Sequence, residues 1–145
     1  MKLPLLSGLI LTVLLGGAIL SGCKKNNESV NSRLTGGWKL VLYSEGFSGR
    51  VILTHADSVY LLSMDGTDYK KTLNGNVYES GAYHISNVKN IYDQNVTGPA
   101  VVFGGVNYPL PQLIELRSDT LFLTMNAIDG NAFEYVKLKA GAGTP

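Results

Sequence analysis

Two histidines and one aspartate are the residues of this chain that could begin a metal site. His55 precedes Asp57 by two positions, and His84 lies on a later stretch. Imidazole and carboxylate groups are ordinary zinc ligands, so His55 could bind a metal with Asp57, or with His84 if their strands pair. No thiolate or third histidine completes the ligand shell, and two histidines on separate strands are more often structural or surface residues. We therefore expect neither a metal nor a cofactor.

The chain carries no complete catalytic motif. The stretch G-F-S-G at positions 46–49 is shorter than the G-x-S-x-G nucleophile elbow and lacks its strand-to-helix setting. No glycine-rich loop matches a phosphate-binding pattern. Acid–base catalysis needs two carboxylates at a defined separation, and the glutamates of the chain are scattered. The sequence therefore predicts a protein that is not an enzyme.

The aromatic residues offer a different chemistry, which is the binding of a small apolar or amphipathic ligand. The chain has eight tyrosines and four phenylalanines, and a tyrosine can line a pocket with an apolar ring and a polar hydroxyl. The candidates for a cavity or its rim are Tyr43, Tyr60, Tyr83, Phe103, Tyr108 and Phe122. The alternative is that these rings simply fill a narrow barrel, because small barrels have interiors packed with side chains.

Short β-rich runs must position these aromatic residues. From Leu34 onward such runs alternate with Gly, Asn and Asp, and no stretch keeps a helical period. Asp65-Gly66 and Asn74-Gly75 are hairpin signals, because such dipeptides accept the backbone angles of tight turns. The runs are residues 38–43, 50–55, 58–64, 69–73, 77–86, 88–92, 100–103, 112–117, 120–126 and 133–139.

We expect these runs to form eight or nine short strands at nearly regular spacing. That pattern predicts an all-β domain, an antiparallel meander that closes into a barrel of about eight strands. Gly81 lies in the middle of one run, where glycine most often marks a bulge or bend. The prolines of residues 104–111 exclude a central strand, so we expect this segment to form an irregular lid or rim.

The only cysteine, Cys23, ends a pattern with a chemistry of its own. Lys2 precedes an uncharged apolar stretch over residues 3–20, and L-S-G-C occupies positions 20–23. This pattern resembles the signal peptide and lipobox of bacterial lipoproteins. The resemblance implies that residues 1–22 are removed, that the Cys23 thiol receives a diacylglycerol and that its new amine is acylated. Several acyl chains hold a protein stably on a membrane.

A retained transmembrane helix is the alternative for residues 3–20, since about 18 uncharged residues can cross a bilayer. Pro4 and several small or polar residues dilute this stretch, and the small residues at its end are typical of a cleavage site. In lipoproteins of enteric-type bacteria, an aspartate directly after the cysteine favours the inner membrane. Lys24 occupies that position in this chain, so the resemblance implies the outer membrane of the cell envelope. It does not specify which leaflet of that membrane holds the anchor.

Four segments follow from these patterns. Residues 1–22 are the predicted signal peptide, and residues 23–33 are the lipidated cysteine with a polar, flexible tether. The barrel spans residues 34–139, and residues 140–145 form a tail. Loss of residues 1–22 would remove Lys2 alone from the twelve basic residues, which leaves eleven against eleven acidic ones. This balance and the lack of a basic stripe argue against nucleic acid as a partner.

The barrel segment resembles a family as well. The run L-T-G-G-W-K-L at positions 34–40 is similar to the G-x-W signature that begins lipocalins and the small lipocalin-like bacterial lipoproteins. Residues 81–85 look like the G-x-Y-x-I strand of the small family, and residues 116–123 look like its penultimate hairpin. The resemblance implies that Trp38 closes one end of the barrel, frequently under an arginine of the last strand. This strand offers Lys137 and Lys139 instead.

Two functions remain open at this stage. A lipocalin-like carrier would have an apolar cavity for a small ligand, whereas an interaction module of an outer-membrane complex would have a filled barrel. The module would dock through its outer face or through residues 104–111. Ser58 and Thr120 each follow an aspartate and resemble O-glycan sites of some Gram-negative envelope proteins. Hydrogen bonds from these side chains to the backbone of a hairpin explain both positions equally well.

Overall fold

The computed structural model describes residues 29–55, 57–107 and 109–139. They form one short helix, α1 (Val30–Leu34), and nine antiparallel strands. The strands are β1 (Gly36–Ser44), β2 (Val51–Leu53), β3 (Tyr60–Met64), β4 (Asp68–Leu73), β5 (Asn76–Lys89), β6 (Thr97–Phe103), β7 (Gln112–Arg117), β8 (Thr120–Met125) and β9 (Ala132–Lys137). Within these ranges, no helix has the length and apolar character needed to span a bilayer.

Eight of the strands close into a barrel, which confirms the predicted all-β meander. Strands β3 to β9 pair in sequence order, and β9 returns to pair with β1. The first half of β1 pairs with β3, from Gly36 opposite Met64 onward, and its second half pairs with β2, from Leu42 opposite Leu53 onward. Strand β2 is therefore an extra strand that extends the wall of the barrel beside the second half of β1.

The dipeptides that signalled hairpins do form them. Asn74 and Gly75 join β4 to β5 with φ angles of 50° and 83°, which belong to the left-handed region that tight hairpins require. In the turn from β3 to β4, the Asp65 carboxylate accepts hydrogen bonds from the backbone N–H groups of Thr67 and Asp68, at 3.1 and 2.8 Å. Local side-chain chemistry thus sets both turns.

Three local expectations differ from the structure. Residues 77–86 and 88–92 were expected to form two strands, but β5 runs unbroken from residue 76 to residue 89. The bulge of this region lies not at Gly81 but where the β4–β5 register shifts between Lys71 and Thr72. Gly81 instead permits close approach of the Gly105 backbone, since a Cβ at residue 81 would lie 3.1 Å from the Gly105 Cα.

Helix α1 is the third difference, because its residues were expected in the flexible tether or at the start of the barrel. The Ser29 side chain caps the helix by accepting a hydrogen bond from the Ser32 N–H at 3.2 Å. Leu34 at the other end is fully buried in the core of the barrel. The packing of Leu34 therefore holds this short helix against the barrel. The sequence has no helical period that would predict the helix.

The core occupies the barrel interior, to which the strands contribute alternate residues. Leu121 and Leu123 of β8 are buried on the inside, and the residues between and beside them face outward. The same alternation places Leu62 and Met64 of β3 inside. The buried cluster comprises Leu34, Trp38, Leu40, Leu62, Met64, Tyr69, Tyr83, Val101, Phe103, Leu121, Leu123 and Tyr135.

Candidate ligand-binding cavity

Trp38 lies at the barrel end that helix α1 covers. Its side chain is 1% exposed, and its indole N–H donates a hydrogen bond to the Leu34 carbonyl at 2.7 Å. The Lys137 Nζ lies 5.1 Å from the centroid of the Trp38 ring and donates to the Arg33 carbonyl at 3.2 Å. A lysine thus lies over this tryptophan, where the family resemblance implies an arginine.

Asn31 ties the helix to the strands around it. Its amide nitrogen donates to the Gly66 carbonyl at 2.9 Å, and its amide oxygen accepts from the Tyr83 hydroxyl at 2.8 Å. These two bonds connect the helix to the β3–β4 turn and to the middle of β5. We call this the capped end of the barrel.

A cavity of about 370 Å³ occupies the opposite end, and its volume falls in the range of small-molecule sites, roughly 300–1,000 Å³. Along β1, the capped end lies at Trp38 and the cavity begins at Leu40. Along β5, the cap touches Tyr83 and the cavity touches Tyr78. The cavity lining comprises Leu40, Tyr43, Ile52, Leu53, Thr54, His55, Ser58, Tyr60, Lys71, Tyr78, Gln112, Phe133 and Tyr135.

Strand β2 and the residues after it form the mouth of the cavity. Leu53 is 69% exposed, and His55 is exposed as well. The Thr54 hydroxyl donates a hydrogen bond to the Leu40 carbonyl at 3.1 Å, which attaches this segment to β1. The cavity is therefore open to solvent on the side that the extra strand borders.

Aromatic rings make up much of the cavity wall. The Tyr43 and Phe133 ring centroids are 5.3 Å apart, and those of Phe133 and Tyr135 are 6.4 Å apart. On the facing strands, the Tyr60 and Tyr78 rings meet edge to face, with their centroids at 6.5 Å. These separations are those of stabilising aromatic pairs, so the wall is preorganised by its own contacts.

A charged pair lies at the floor of the cavity. The Lys71 Nζ donates a hydrogen bond to the Glu79 Oε1 at 2.8 Å, and the two side chains are 15% and 19% exposed. The Tyr69 hydroxyl donates to the same oxygen at 2.8 Å, and it accepts a hydrogen bond from the Gly105 N–H at 3.2 Å. Burial, together with this carboxylate, raises the pKa of Tyr69 to about 12. We call Lys71, Glu79 and Tyr69 the polar floor.

Tyr135 adds a second polar group to the cavity. Its side chain is 7% exposed, and burial raises the pKa of its hydroxyl, with smaller contributions from Tyr78 and Glu79. The hydroxyl has no hydrogen-bond partner within the described part of the chain. A hydroxyl at a cavity wall is a donor that a bound molecule could use.

The candidate aromatic residues fall into separate parts of the molecule. Tyr43 and Tyr60 line the cavity. Tyr83 and Phe103 are buried in the core, 7% and 2% exposed, outside the cavity lining. Phe122 lies on the outer face of β8, where the Arg117 guanidinium carbon is 5.0 Å from its ring centroid, so it is no part of the cavity. Tyr108 and the lipidation candidate Cys23 lie outside the described residues.

The lining residues that the sequence interpretation missed include three aromatic residues and a lysine. Phe133 and Tyr135 alternate along β9, and this period of two could have assigned both to the interior. Tyr78 lies beside the register shift of the β4–β5 pair, which no local pattern reveals. Lys71 would be placed on the outside by its charge alone, because its partner Glu79 becomes apparent only when β4 and β5 pair.

The candidate metal ligands do not assemble into a site. His55 lies at the cavity mouth, whereas His84 is exposed on β5. Within residues 29–55, 57–107 and 109–139, no group of three or more His, Cys, Asp or Glu side chains could hold a metal ion.

The segment 104–111 does not serve as the expected lid or rim of this cavity, since none of its described residues belongs to the lining. Gly105 packs instead against β4 and β5. A Cβ at this position would collide with the Ser80 carbonyl oxygen and the Tyr69 hydroxyl. Gly105 therefore lies against the far side of the polar floor.

Comparison of the chain with protein-family models, with curated proteins and with solved structures found no match.

Proposed function

We propose that this protein is a lipid-anchored carrier of the bacterial envelope that binds a small apolar or amphipathic molecule in the barrel cavity. The observation that carries the proposal is the cavity of about 370 Å³ at the end of the barrel opposite the capped end. Small-molecule sites combine a mostly apolar lining with a few well-placed polar groups. The aromatic wall and the polar floor provide both.

The cavity favours a carrier over the interaction module, whose barrel would be filled. Tyr43, Tyr60 and Phe133 turn their rings to the cavity rather than filling it. The rings around this solvent-open cavity lack the packing partners that a filled barrel would give them, and a ligand would supply those contacts. The lining includes no group to which we assign a chemical step, and the proposal is one of binding alone.

Native mass spectrometry tests the carrier. The described fold lies within residues 29–139, so the chain from residue 24 to residue 145, secreted to a bacterial periplasm, contains every strand pair. We expect an added mass that is lost on denaturation. Phe133→Ala in the cavity wall should reduce the bound fraction, and Phe122→Ala on the outer face is the matched control. A bare mass for the folded wild-type protein would overturn the carrier and favour the interaction module.

The membrane anchor is a separate part of the proposal. It is supported by the L-S-G-C pattern at positions 20–23 and by the lysine after it, and it assigns the protein to the outer membrane through a lipid on Cys23. Growth of cells with an alkyne fatty acid, followed by fluorophore coupling, should label the wild-type protein. Cys23→Ser should abolish the label and release the protein from the membrane fraction. An equally labelled Cys23→Ser variant would contradict the assignment.

A further inference from the structure

We propose that the polar floor, together with the Tyr135 hydroxyl, selects an uncharged amphipathic ligand, which enters with its polar end first and accepts hydrogen bonds there through a carbonyl or hydroxyl oxygen. The donors are the Lys71 ammonium and the Tyr135 hydroxyl, which both border the cavity. This inference rests on the proposed binding function and adds the chemical class and the orientation of the ligand.

The Lys71 ammonium has more N–H groups than it has acceptors among the described residues. A lysine ammonium carries three N–H groups, and the one acceptor within hydrogen-bond distance among the described residues is the Glu79 Oε1. On its other sides the Nζ lies 4.5 Å from the centroid of the Phe103 ring and 5.5 Å from that of Tyr69. The aromatic contacts hold the ammonium at the floor, and its remaining N–H groups can donate to a ligand.

Tyr135 supplies the second, independent observation. It is more than nine-tenths buried, it lines the cavity, and its hydroxyl has no partner within the described ranges. Because burial disfavours the ionised form, this hydroxyl keeps its proton at neutral pH and can donate it in a hydrogen bond. Among the described residues, the fully buried side-chain polar atom without a partner is the Thr72 hydroxyl, so the Tyr135 hydroxyl is accessible from the cavity. A bound acceptor would take the place of water at this hydroxyl.

The charge of the floor decides between a neutral and an anionic ligand. Lys71 and Glu79 form a close pair whose net charge is zero. A carboxylate bound beside Lys71 would bring a second negative charge next to that of Glu79, with the one ammonium to balance both. A carbonyl or hydroxyl oxygen accepts the same hydrogen bonds without that cost. The floor therefore discriminates against acids of otherwise equal shape.

The apolar end of the ligand has its place in the aromatic wall. From the floor, the lining passes Tyr43, Tyr60 and Phe133 and ends at the apolar residues Ile52 and Leu53 of the mouth. A chain or ring system that extends from floor to mouth buries its apolar surface along this path.

Decanamide and decanoate form a matched ligand pair for the test, since they share a chain and differ in the charge of the head. Their affinities are measured at pH 7.5 by displacement of the fluorescent neutral probe N-phenyl-1-naphthylamine from residues 24–145. We expect the amide to bind at least about tenfold more tightly, as an unpaired buried charge costs more than 1.4 kcal/mol. Glu79→Gln leaves the Lys71 charge unpaired and should reverse the preference.

Two further variants complete the design. Lys70→Met changes an exposed neighbour of Lys71 and should alter neither affinity, because residue 70 faces outward on β4. Tyr135→Phe removes one hydroxyl from the cavity and should weaken amide binding about threefold to tenfold, the effect of one lost hydrogen bond. This variant keeps the packing of the wall, so it reports on the floor even if Glu79→Gln fails to fold.

The outcomes separate the inference from the function on which it rests. Equal affinities for the amide and the acid, or an unchanged affinity of Tyr135→Phe for the amide, would overturn the inference and leave the carrier standing. A folded wild-type protein that binds neither the probe nor either ligand would overturn the carrier itself.

Discussion

Two lysines of the barrel lie against aromatic rings, one at each end of the core. Lys71 lies over Phe103 at the polar floor, and Lys137 lies over Trp38 at the capped end. Each ammonium also donates a hydrogen bond to an oxygen, which for Lys137 is the Arg33 carbonyl. Since the ring faces attract a cation and the oxygens bind it, the two positions tolerate a charged residue beside the apolar core.

We expect Lys137→Met to lower the free energy of unfolding by about 1–2 kcal/mol, because it removes a cation–π contact and a hydrogen bond. Lys139→Met is the control, since Lys139 is exposed beyond the end of β9, and its effect should stay within about 0.5 kcal/mol. Urea denaturation followed by tryptophan fluorescence measures both. Equal effects of the two substitutions would show that the stacking over Trp38 contributes nothing.

Buried tyrosines make the fold sensitive to alkali. Burial raises the pKa of Tyr69 to about 12 and also raises the pKa values of Tyr83 and Tyr135. In the unfolded chain these hydroxyls ionise near pH 10, so the stability they provide is complete below pH 10 and is lost as the pH rises toward 12.

Urea denaturation at several pH values between 8 and 11 should show this loss, with a slope of at most about 1.4 kcal/mol per pH unit for each buried tyrosine. Tyr69→Phe should reduce the slope above pH 10, whatever its effect on stability at neutral pH. Identical slopes for the wild type and this variant would contradict the assignment.

Strand β2 is the element least supported by the rest of the fold. It has three residues, pairs with β1 alone among the described strands, and exposes more than half of Val51 and of Leu53. Phe47, in the turn between β1 and β2, is 90% exposed. Segments with few buried contacts open at low free energy. The mouth of the cavity is thus bordered by the part of the wall that opens most readily.

Thr54→Val should make β2 open more often, because it removes the hydrogen bond to the Leu40 carbonyl and keeps the shape of the side chain. We expect faster amide hydrogen exchange at residues 51–54, with a loss of global stability below about 1.5 kcal/mol. Thr97→Val, at an exposed position of β6, is the control. Unchanged exchange in Thr54→Val would mean that this bond does not hold the mouth.

Turn chemistry and alternation are the parts of this fold that the sequence encodes locally. Asn74-Gly75 predicts its hairpin because few other residues accept positive φ at both positions. Long-range contacts decide the rest. Strand β5 continues past residue 86 because it pairs with β6 up to Lys89 opposite Thr97. Helix α1 exists because Leu34 is buried by the barrel, and neither cause is visible in a short window of sequence.

The cavity, like the fold, could be predicted from local sequence only in part. Tyr43 and Tyr60 could be proposed from residue type, since aromatic residues on strands often face an interior. Phe122 was misplaced because its residue type was given more weight than its position on the strand. It alternates with Leu121 and Leu123, which form the apolar face of β8. The pairing of Lys71 with Glu79 depends on a register shift that no local rule predicts.

The packed cap and the cavity proposed to bind a ligand lie at opposite ends of the molecule. The capped end holds Leu34 and Trp38, both almost fully buried, whereas the other end holds the cavity and its exposed rim. Substitutions should therefore affect either stability or ligand binding, according to the end at which they lie.

Leu34→Ala and Leu53→Ala test this division. The first substitution empties a fully buried site and should lower the free energy of unfolding by about 2–4 kcal/mol, with no change in the affinity for N-phenyl-1-naphthylamine. The second alters a residue that is 69% exposed at the mouth. It should weaken probe binding and change stability by less than about 0.5 kcal/mol. Loss of probe affinity in folded Leu34→Ala would show that the two ends are coupled.

Because the cap and the cavity lie at opposite ends of the barrel, the position of the anchor also determines whether the cavity mouth faces the bilayer or the aqueous space. Six peptide units separate Cys23 from Ser29, the cap residue of helix α1, and a chain of that length spans at most about 22 Å. A lipid on Cys23 would hold the capped end toward the bilayer and turn the mouth away from it. Cargo would then be exchanged across the aqueous gap, and only a protein with a much longer tether could load from the membrane that carries it.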